Sequence, residues 1–517
     1  MNAYRRLARA ATGEAPDIQD DEKPQTTRAR FWLALSGLLL TAALAALDNF
    51  IVNPALPHIV SEFGALSRLS WVMTAFMLAS TVTMPLYGKF SDIHGRRPLF
   101  TLAILVFLGG SALCGAAQSM TQLIVFRAIQ GMGAGGASVL ALTTLGDLVT
   151  PRERPRYQGL FNATYTLSSI AGPVVGGAVT EWLGWRWVFY INLPVGAAAL
   201  AMVWLTLPPN LAPRKGHAID FAGVTLLVCG TVAFLLFLGM LDGSAASTPL
   251  AMAGTGVLCV LAFAALYRQE KRAAEPVLAV HLLENTVFRR TVVASTMIGL
   301  AFFGSSVFLP LFFQTVGGHS TASSGLMILP HLIAGTTMSL LGGQVVSRTG
   351  RYKAPIVGGM VLLAIGFFGI ATVTAMGLGD SAWICCLLLM GSGGGLCMPN
   401  LTVAVQNCVP RAELGTGTST LQFCNQLAAV AAVAGSGLLL THHLRDYART
   451  ALPAPLAERV LREGVALIEA LPPTLHDAVV AIYAHAFIVT FVTSGMLTCL
   501  AVGVALRIPE IRLGDGD

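Results

Sequence analysis

Fourteen apolar stretches constrain the fold of this 517-residue chain more than any other feature. A helix needs about 20 mainly apolar residues to cross a bilayer, and only 11% of the chain is charged, against about 25% in soluble proteins. Backbone polar groups within lipid must be bonded internally, so helices are the expected elements. The spans are predicted near 31–56, 71–88, 98–117, 121–148, 158–182, 187–207, 220–240, 249–267, 291–315, 321–346, 354–376, 381–405, 414–440 and 484–507.

The lysines and arginines lie mostly on one side of these spans. With the N-terminus inside, the cytoplasmic segments carry 25 of them and the outer segments carry 6. Because positive charge is retained on the cytoplasmic side, we expect a multi-pass protein of the cytoplasmic (inner) membrane with both termini in the cytoplasm. Four of the six outer charges lie in residues 441–480, the longest expected outer loop.

An internal repeat divides the spans into two sets. The turn at 88–98, after span 2, resembles the turn at 343–353 after span 10, and the glycine-rich segment 131–136 resembles 391–395. The predicted fold is therefore an all-α polytopic membrane protein in which two six-helix bundles flank two inserted helices. The expected domains are a cytoplasmic tail (1–30), an N-terminal bundle (31–207), a linker with helices near 220–240 and 249–267 (208–290), a C-terminal bundle (291–507) with the outer loop 441–480, and a cytoplasmic tail (508–517).

One carboxylate and one guanidinium stand well inside predicted spans. An ionised group at the bilayer centre costs about 2.5–3.5 kcal/mol on insertion scales, so it is a functional candidate by default. Asp48 lies about 25 Å along a span entered from inside, which leaves it about 5 Å from the outer edge of a hydrocarbon core about 30 Å thick. Arg127 lies about 9 Å from the same outer edge, in a span entered from outside. Their similar depth leads us to expect direct or water-mediated coupling, with an arginine that snorkels outward as the alternative.

Four segments in order along the chain resemble the motifs of one transporter family. They are 47–57 in span 1, 88–97 after span 2, 127–136 in span 4 and 172–177 in span 5. In these segments the chain resembles the major facilitator superfamily, specifically its fourteen-span drug:proton antiporter branch. The resemblance covers about residues 31–507 and implies alternating access between two bundles around a central site.

The resemblance assigns a role to the turn after span 2. It implies a cytoplasmic gate in which Asp92 meets charges or a helix N-terminus of the other bundle. The gate residues would be Gly88, Asp92, Gly95, Arg96 and Arg97, and the alternative is a tight turn that serves only as a positive-inside anchor. Ser347 stands at the position of Asp92 in the second copy, so we expect a weaker gate there.

Span 5 carries the motif that the antiporters of this family share. The resemblance implies that its face packs between the bundles and blocks a proton leak. Small residues let helices approach closely in lipid, so a plain packing stripe is the alternative. The residues of the motif are Gly172, Pro173, Gly176 and Gly177.

Further polar side chains inside the spans are candidates for a substrate cavity. For span 13 the alternative is hydrogen bonding between helices, and for His331 it is a bonded histidine in the core rather than a group that titrates near neutral pH. The candidates are Asn49, Asn162, Tyr165, His331, Gln422, Asn425 and Gln426.

These features favour a proton-coupled antiporter that exports small lipophilic compounds or drugs. The alternative is an exporter of a specific metabolite, siderophore or lipid on the same fold. An enzyme is not expected, because HExxH, GxSxG and P-loop motifs are absent and the nine cysteines lack metal-ligand spacing. We expect no catalytic residue, metal or cofactor, since the proton gradient drives transport.

The expected partners are a small-molecule substrate, protons and the lipid bilayer, and nucleic acid is not expected. In a cell with two membranes, a periplasmic adaptor and an outer-membrane channel are further candidates.

Overall fold

The computed structural model describes residues 28–64, 68–208, 220–241, 248–273, 275–278, 280–453, 456, 459 and 472–513. This part of the chain contains helices and turns and no strand. Among these described residues, twelve helical segments are long and apolar enough to span a membrane. Two further helices, which are less apolar, lie at the positions of predicted spans 2 and 5; they are Leu69–His94 and Arg154–Leu183. The predicted fold class is confirmed, while most of tail 1–30 and residues 514–517 lie outside the described residues.

The N-terminal half contains the first six helices. Helix α1 continues into a 3₁₀ turn at Asn53–Ala55 and a short helix at Leu56–Phe63, and a short helix at Trp187–Tyr190 precedes α6. The six are α1 (Arg28–Ile51), α2 (Leu69–His94), α3 (Arg96–Gly115), α4 (Met120–Leu148), α5 (Arg154–Leu183) and α6 (Asn192–Thr206).

The remaining helices form the inserted pair and the C-terminal half. Short helices at Leu309–Thr315 and Thr321–Met327 connect α9 with α10. The eight are α7 (Phe221–Leu241), α8 (Pro249–Glu270), α9 (Thr286–Ser306), α10 (Leu329–Thr349), α11 (Lys353–Ala375), α12 (Asp380–Cys408), α13 (Leu414–Ala451) and α14 (Pro473–Leu506).

Glycines set the closest helix contacts within each half. A Cβ on Gly133 would collide with the backbone of Phe107, so α4 and α3 pack backbone to backbone. On α12, Gly391 and Gly395 meet the backbone oxygens of His331 and Gly335 on α10 in the same way. Van der Waals packing drives helix association in lipid, so small residues at these crossings stabilise each half.

The two halves meet at one face of the molecule. We call it the terminal face, because α1 begins there and α14 ends there; the sequence predicts that it is cytoplasmic. At this face α2 packs on α13, and α5 packs on α10. Gly88 of α2 lies against Ser419 of α13, and Gly343 of α10 lies against the backbone of Pro155 at the start of α5. In this conformation the halves are therefore closed at the terminal face.

The inserted helices α7 and α8 pack across the seam between α2 and α13. Leu227 of α7 and Leu266 of α8 share a buried cluster with Phe423 of α13 and with Val277, which lies in the segment after α8. Leu86 of α2 packs against the same cluster. The insertion thus contacts both halves at their shared interface.

The largest difference from the predicted spans concerns the outer loop expected at 441–480. Helix α13 continues to Ala451 and α14 already begins at Pro473, while much of 454–471 lies outside the described residues. At 38 residues α13 is about 57 Å long, well beyond a hydrocarbon core of about 30 Å. Leu440, Leu444 and Ala448, spaced by four, are buried on one face of the helix and pack it into the core of the C-terminal half.

We predict that Gly395→Ala lowers the thermal stability of the purified protein. The new methyl group would press on the backbone of Gly335, and overpacking of this kind typically costs about 1–3 kcal/mol. The measurement is the unfolding temperature in detergent. Gly358→Ala is the matched control, because nothing lies within 4 Å of a Cβ on Gly358. Equal stability of both variants would contradict the packing described for α10 and α12.

Candidate functional site

A fully buried ion pair lies inside the N-terminal half. Asp48 of α1 and Arg127 of α4 each have 0% exposed surface, and Arg127 Nη1 donates to Asp48 Oδ2 at 2.5 Å. The structure thus brings together the two charges that the sequence places at similar depth. Removing one partner of a buried pair leaves an unpaired charge and typically costs about 3–5 kcal/mol.

Two amide side chains complete the surroundings of the carboxylate. Gln130 Nε2 and Asn192 Nδ2 each donate to Asp48 Oδ1 at 2.8 Å. Both amides also donate to the hydroxyl of Ser111 on α3, at 2.7 and 3.2 Å. Asp48 therefore accepts three hydrogen bonds from α4 and α6, and an ionised carboxylate, which only accepts, matches this arrangement.

The guanidinium of Arg127 is held on its other sides by α2 and an aromatic ring. Its carbon lies 4.1 Å from the ring centre of Phe76, and Nε donates to the Val72 carbonyl at 3.4 Å. Nη1 also donates to Gln130 Oε1 at 2.8 Å. A cation over an aromatic face is stabilised by roughly 2 kcal/mol when desolvated. Helices α1, α2, α3, α4 and α6 are thus all linked through one polar cluster.

Sequence reasoning missed the uncharged members of this cluster. Gln130 lies three residues after Arg127, on the same helix face, and Asn192 is a lone amide in the apolar run of span 6. Both are buried at 0% exposure, as is Ser111. An amide inside a span was a usable signal, since a polar group in lipid needs a partner.

A second charged group joins the two halves at the terminal face. Asp92, near the end of α2, accepts from the backbone N–H groups of Gly415 and Thr416 at 3.0 and 2.8 Å, and from the Thr416 hydroxyl at 2.7 Å. These groups belong to the first turn of α13, where the helix dipole favours a negative charge. Asp92 therefore meets a helix N-terminus of the other half in this conformation.

Arg96 supports Asp92 from within the same half. Its guanidinium pairs with Asp92 at 2.6 Å and with Asp147, at the end of α4, at 2.7 Å, and it is fully buried. The turn before it depends on Gly95, whose φ of 91° favours glycine. The sequence analysis did not identify Asp147, because its position near the end of a span gave no indication that it is buried.

Arg97 and Gly88, two further residues of the predicted gate, have different surroundings. Arg97 does not join the contact between the halves, because its guanidinium lies over the Trp204 ring of α6 at 4.6 Å. Gly88 does join it, since a Cβ there would collide with Ser419 and with the Gly415 carbonyl. At the second contact between the halves, where α5 packs on α10, Arg152 donates to the carbonyls of Ser347 and Arg348 at the end of α10.

The predicted antiporter motif of α5 packs in a different place from the one we expected. Gly172 lies against Phe50 and Gly176 against the Ile51 carbonyl, so this face contacts α1 in the same half. The expected position between the bundles is wrong for these glycines; closer to the terminal face, Gly159 meets α10 instead. Pro173 is exposed, and a Cβ on Gly177 would have no neighbour within 4 Å.

The cavity candidates of the N-terminal half keep partial exposure. Asn49 is half-buried and donates to the Ala45 carbonyl of its own helix at 2.9 Å. Asn162 is half-buried, and Tyr165 is 47% exposed with its ring edge on Phe50. These side chains are accessible in the conformation described.

The candidates of the C-terminal half divide into two groups. Gln422 and Gln426 of α13 are half-buried, while Asn425 accepts from the Ser295 hydroxyl of α9 at 2.8 Å. His331 is only 4% exposed and stacks on Phe302 at 5.4 Å. We therefore correct the expectation for His331, which packs inside this half and does not line an open cavity in this conformation.

Comparison with known proteins identifies the family. The model of the Major Facilitator Superfamily matches residues 38–433. The Multidrug transporter protein MdtP of Bacillus subtilis is 35% identical over 425 residues, covering 80% of this chain and 78% of that protein. Multidrug resistance protein 3 of the same organism is 34% identical, covering 75% of each chain. The Efflux pump dotC of Dothistroma septosporum is 31% identical and covers 88% of this chain and 80% of its own.

Solved transporter structures share the fold. A human organic anion transporter superposes with a TM-score of 0.64 at 17% identity, covering 93% of this chain and all of that one. A proton:xylose symporter superposes with a TM-score of 0.62 at 16% identity, covering 94% and 97%. The fold, the length of the match and the similarity to curated transporters agree, and this chain belongs to the Major Facilitator Superfamily.

Proposed function

We propose that this protein exports small lipophilic compounds across the cytoplasmic membrane in exchange for protons, by alternating access and with both termini inside. The observation that carries the proposal is the fully buried pair of Asp48 and Arg127. The names of the curated relatives, multidrug transporters and efflux pumps, support the substrate class.

Proton binding at Asp48 is the chemical step of the proposed cycle. A proton on Asp48 removes the charge that balances Arg127 and places an O–H donor where three donors now point. An unbalanced buried cation costs about 3–5 kcal/mol, which corresponds to roughly 150- to 5,000-fold in an equilibrium constant. Relief of this cost by movement of α4 or by entry of water would link protonation to conformation.

The amides of Asn192 and Gln130 would transmit a shift of the Asp48 carboxylate to the other helices. Asn192 binds Asp48 and Ser111, so α6 and α3 follow any shift of the carboxylate. Gln130 binds Asp48, Ser111 and Arg127 and would reorient when the ion pair separates. Such a network has discrete bonding arrangements, which is what a two-state transporter requires.

The contact of Asp92 with α13 is the proposed latch of the cycle. It is closed in the conformation described, and export requires the terminal face to open for the substrate. Opening would separate Asp92 from Gly415 and Thr416 and leave it paired with Arg96 alone. The Arg96 and Asp147 pair keeps the turn in place during that step.

A pH-gradient assay with a panel of lipophilic cations, neutral drugs and small metabolites tests the proposed function. Accumulation of several unrelated compounds in inside-out vesicles supports multidrug efflux. Transport of one metabolite or lipid alone favours the specific exporter, and transport without coupling to protons contradicts the proposal.

We predict that Asp48→Asn abolishes efflux driven by a pH gradient while the protein remains in the membrane. The amide keeps the size of the side chain and loses the titratable group. The measurement is uptake into inside-out vesicles with an imposed gradient. Asp477→Asn, at a position whose side chain is 89% exposed, is the matched control and should transport normally. Full gradient-driven transport by Asp48→Asn would refute the central role of Asp48.

We predict that Arg127→Ala and Arg127→Lys both impair transport, and that Arg127→Ala also destabilises the protein by about 3–5 kcal/mol. Lysine keeps the charge but lacks the planar group that reaches Asp48 and Gln130 together. Arg186→Ala is the control, because its pair with Glu62 is exposed and is worth about 1 kcal/mol or less. Unchanged transport by both Arg127 variants would contradict the coupling.

We predict that Asp92→Asn shifts the population toward an open terminal face. A carboxylate at a helix N-terminus contributes about 0.3–2 kcal/mol, so the shift should lie between roughly twofold and thirtyfold. Distances between spin labels at the exposed positions His94 and Arg411, in a background without the native cysteines, measure it. Asp446→Asn on α13 is the control, and an unchanged distance distribution in Asp92→Asn would count against the latch.

A further inference from the structure

The start of α7 and the end of α8 bring two carboxylates together at the terminal face. Asp220 directly precedes α7, and Glu270 is the last residue of α8. Glu270 is only 3% exposed and Asp220 is half-buried. Neither residue belongs to the clusters around Asp48 or Asp92.

Each carboxylate has one bonded oxygen and one unbonded oxygen. Asp220 Oδ1 accepts from Gly223 N at 2.9 Å and from Gln269 Nε2 at 3.0 Å, and Glu270 Oε2 accepts from Leu278 N at 3.2 Å. Asp220 Oδ2 and Glu270 Oε1 are buried without a hydrogen-bond partner in the part of the chain that the structure describes. A buried acceptor without a partner costs about 1–3 kcal/mol, and more when it is charged.

The two unbonded oxygens point at the same place. Asp220 Oδ2 lies 2.6 Å, and Glu270 Oε1 3.0 Å, from the position that a Cβ on Gly223 would occupy. Both oxygens therefore border the same small space, and a negative charge on Asp220 disfavours a second negative charge on Glu270. A protonated carboxyl supplies the O–H donor that both oxygens lack.

The lysine that acts on this pair of carboxylates is itself paired with another carboxylate. Lys89 of α2 acts on Glu270 electrostatically, but its ammonium forms a buried ion pair with Glu275 in the segment after α8. Glu270 also lines a cleft of about 790 Å³, which gives a proton a route from water. Other titratable groups that line this cleft are Tyr267, Lys271, His281, Glu284, Arg289 and Glu413.

We propose that Asp220 and Glu270 form a second proton-binding site, in which one proton is shared between Asp220 Oδ2 and Glu270 Oε1. The site lies on the inserted helices, outside both six-helix bundles. It is independent of what the protein exports and of the role of Asp48.

The site controls the segment that crosses the seam between the halves. Glu270 Oε2 holds Leu278 N, and the neighbouring Val277 is buried against Phe423 of α13. Lys89 of α2 binds Glu275 in the same segment. With the proton bound, Asp220 and Glu270 attract each other and fix this segment across α2 and α13; loss of the proton leaves two repelling carboxylates beneath it.

Infrared difference spectroscopy of the purified full-length protein in lipid nanodiscs, titrated through neutral pH, tests the site. The wild type should show a carbonyl band of a protonated carboxylic acid at neutral pH, identified by its shift in deuterated water. Glu270→Gln and Asp220→Asn should each remove that band. Gly223→Ala, which crowds both oxygens, should shift it, whereas Gly254→Ala at an open position of α8 should not.

Two further variants separate this site from other carboxyls. The band should persist in Asp48→Asn, so failure of the proposed transport mechanism leaves this test valid. It should also persist in Glu284→Gln, at an exposed position of the same cleft. Absence of the band in the wild type, or its survival in either Glu270→Gln or Asp220→Asn, would overturn the proposal that the two carboxylates share one proton. Removal of the wild-type band by sodium ions at constant pH would also overturn it, in favour of a cation site.

Discussion

The organisation of the N-terminal half depends on one buried ion pair. Asp48 and Arg127 are removed from both water and lipid, and neither could remain charged there without the other. Their desolvation explains why amides of α4 and α6, a hydroxyl of α3 and an aromatic ring of α2 surround them. The constraint thus fixes the relative positions of five helices, and in the proposed mechanism a single proton on Asp48 disturbs this arrangement.

Contacts between the halves rely on helix ends more than on opposite charges. Asp92 binds the first turn of α13, and Arg152 binds the last carbonyls of α10. The two seams of the pseudo-symmetric halves therefore use opposite ends of a helix dipole. Such contacts hold the terminal face closed without burying a cation and an anion across the interface. The inserted helices add a buried apolar cluster over the seam between α2 and α13.

The sequence predicted most of the fold and the charged core of the site, because charge inside an apolar span is rare and depth can be counted along a helix. Asp48, Arg127 and Asp92 were accessible to this reasoning. Gln130, Asn192 and Asp147 were missed, since their partners become visible only once helix rotation is known. Rotation also explains the different positions of Arg97, His331 and the Gly172 face. Helix α13 was predicted too short because hydropathy does not detect its more polar last turns, in which Leu444 and Ala448 are buried between polar residues.

The most direct test of the central claim is proton release from the purified protein. In weakly buffered solution with a pH-sensitive dye, addition of a transported compound to the wild type should release protons in proportion to the compound bound. The Asp48→Asn variant should bind the compound and release none. Equal proton release by the two proteins would contradict the assignment of the coupling proton to Asp48.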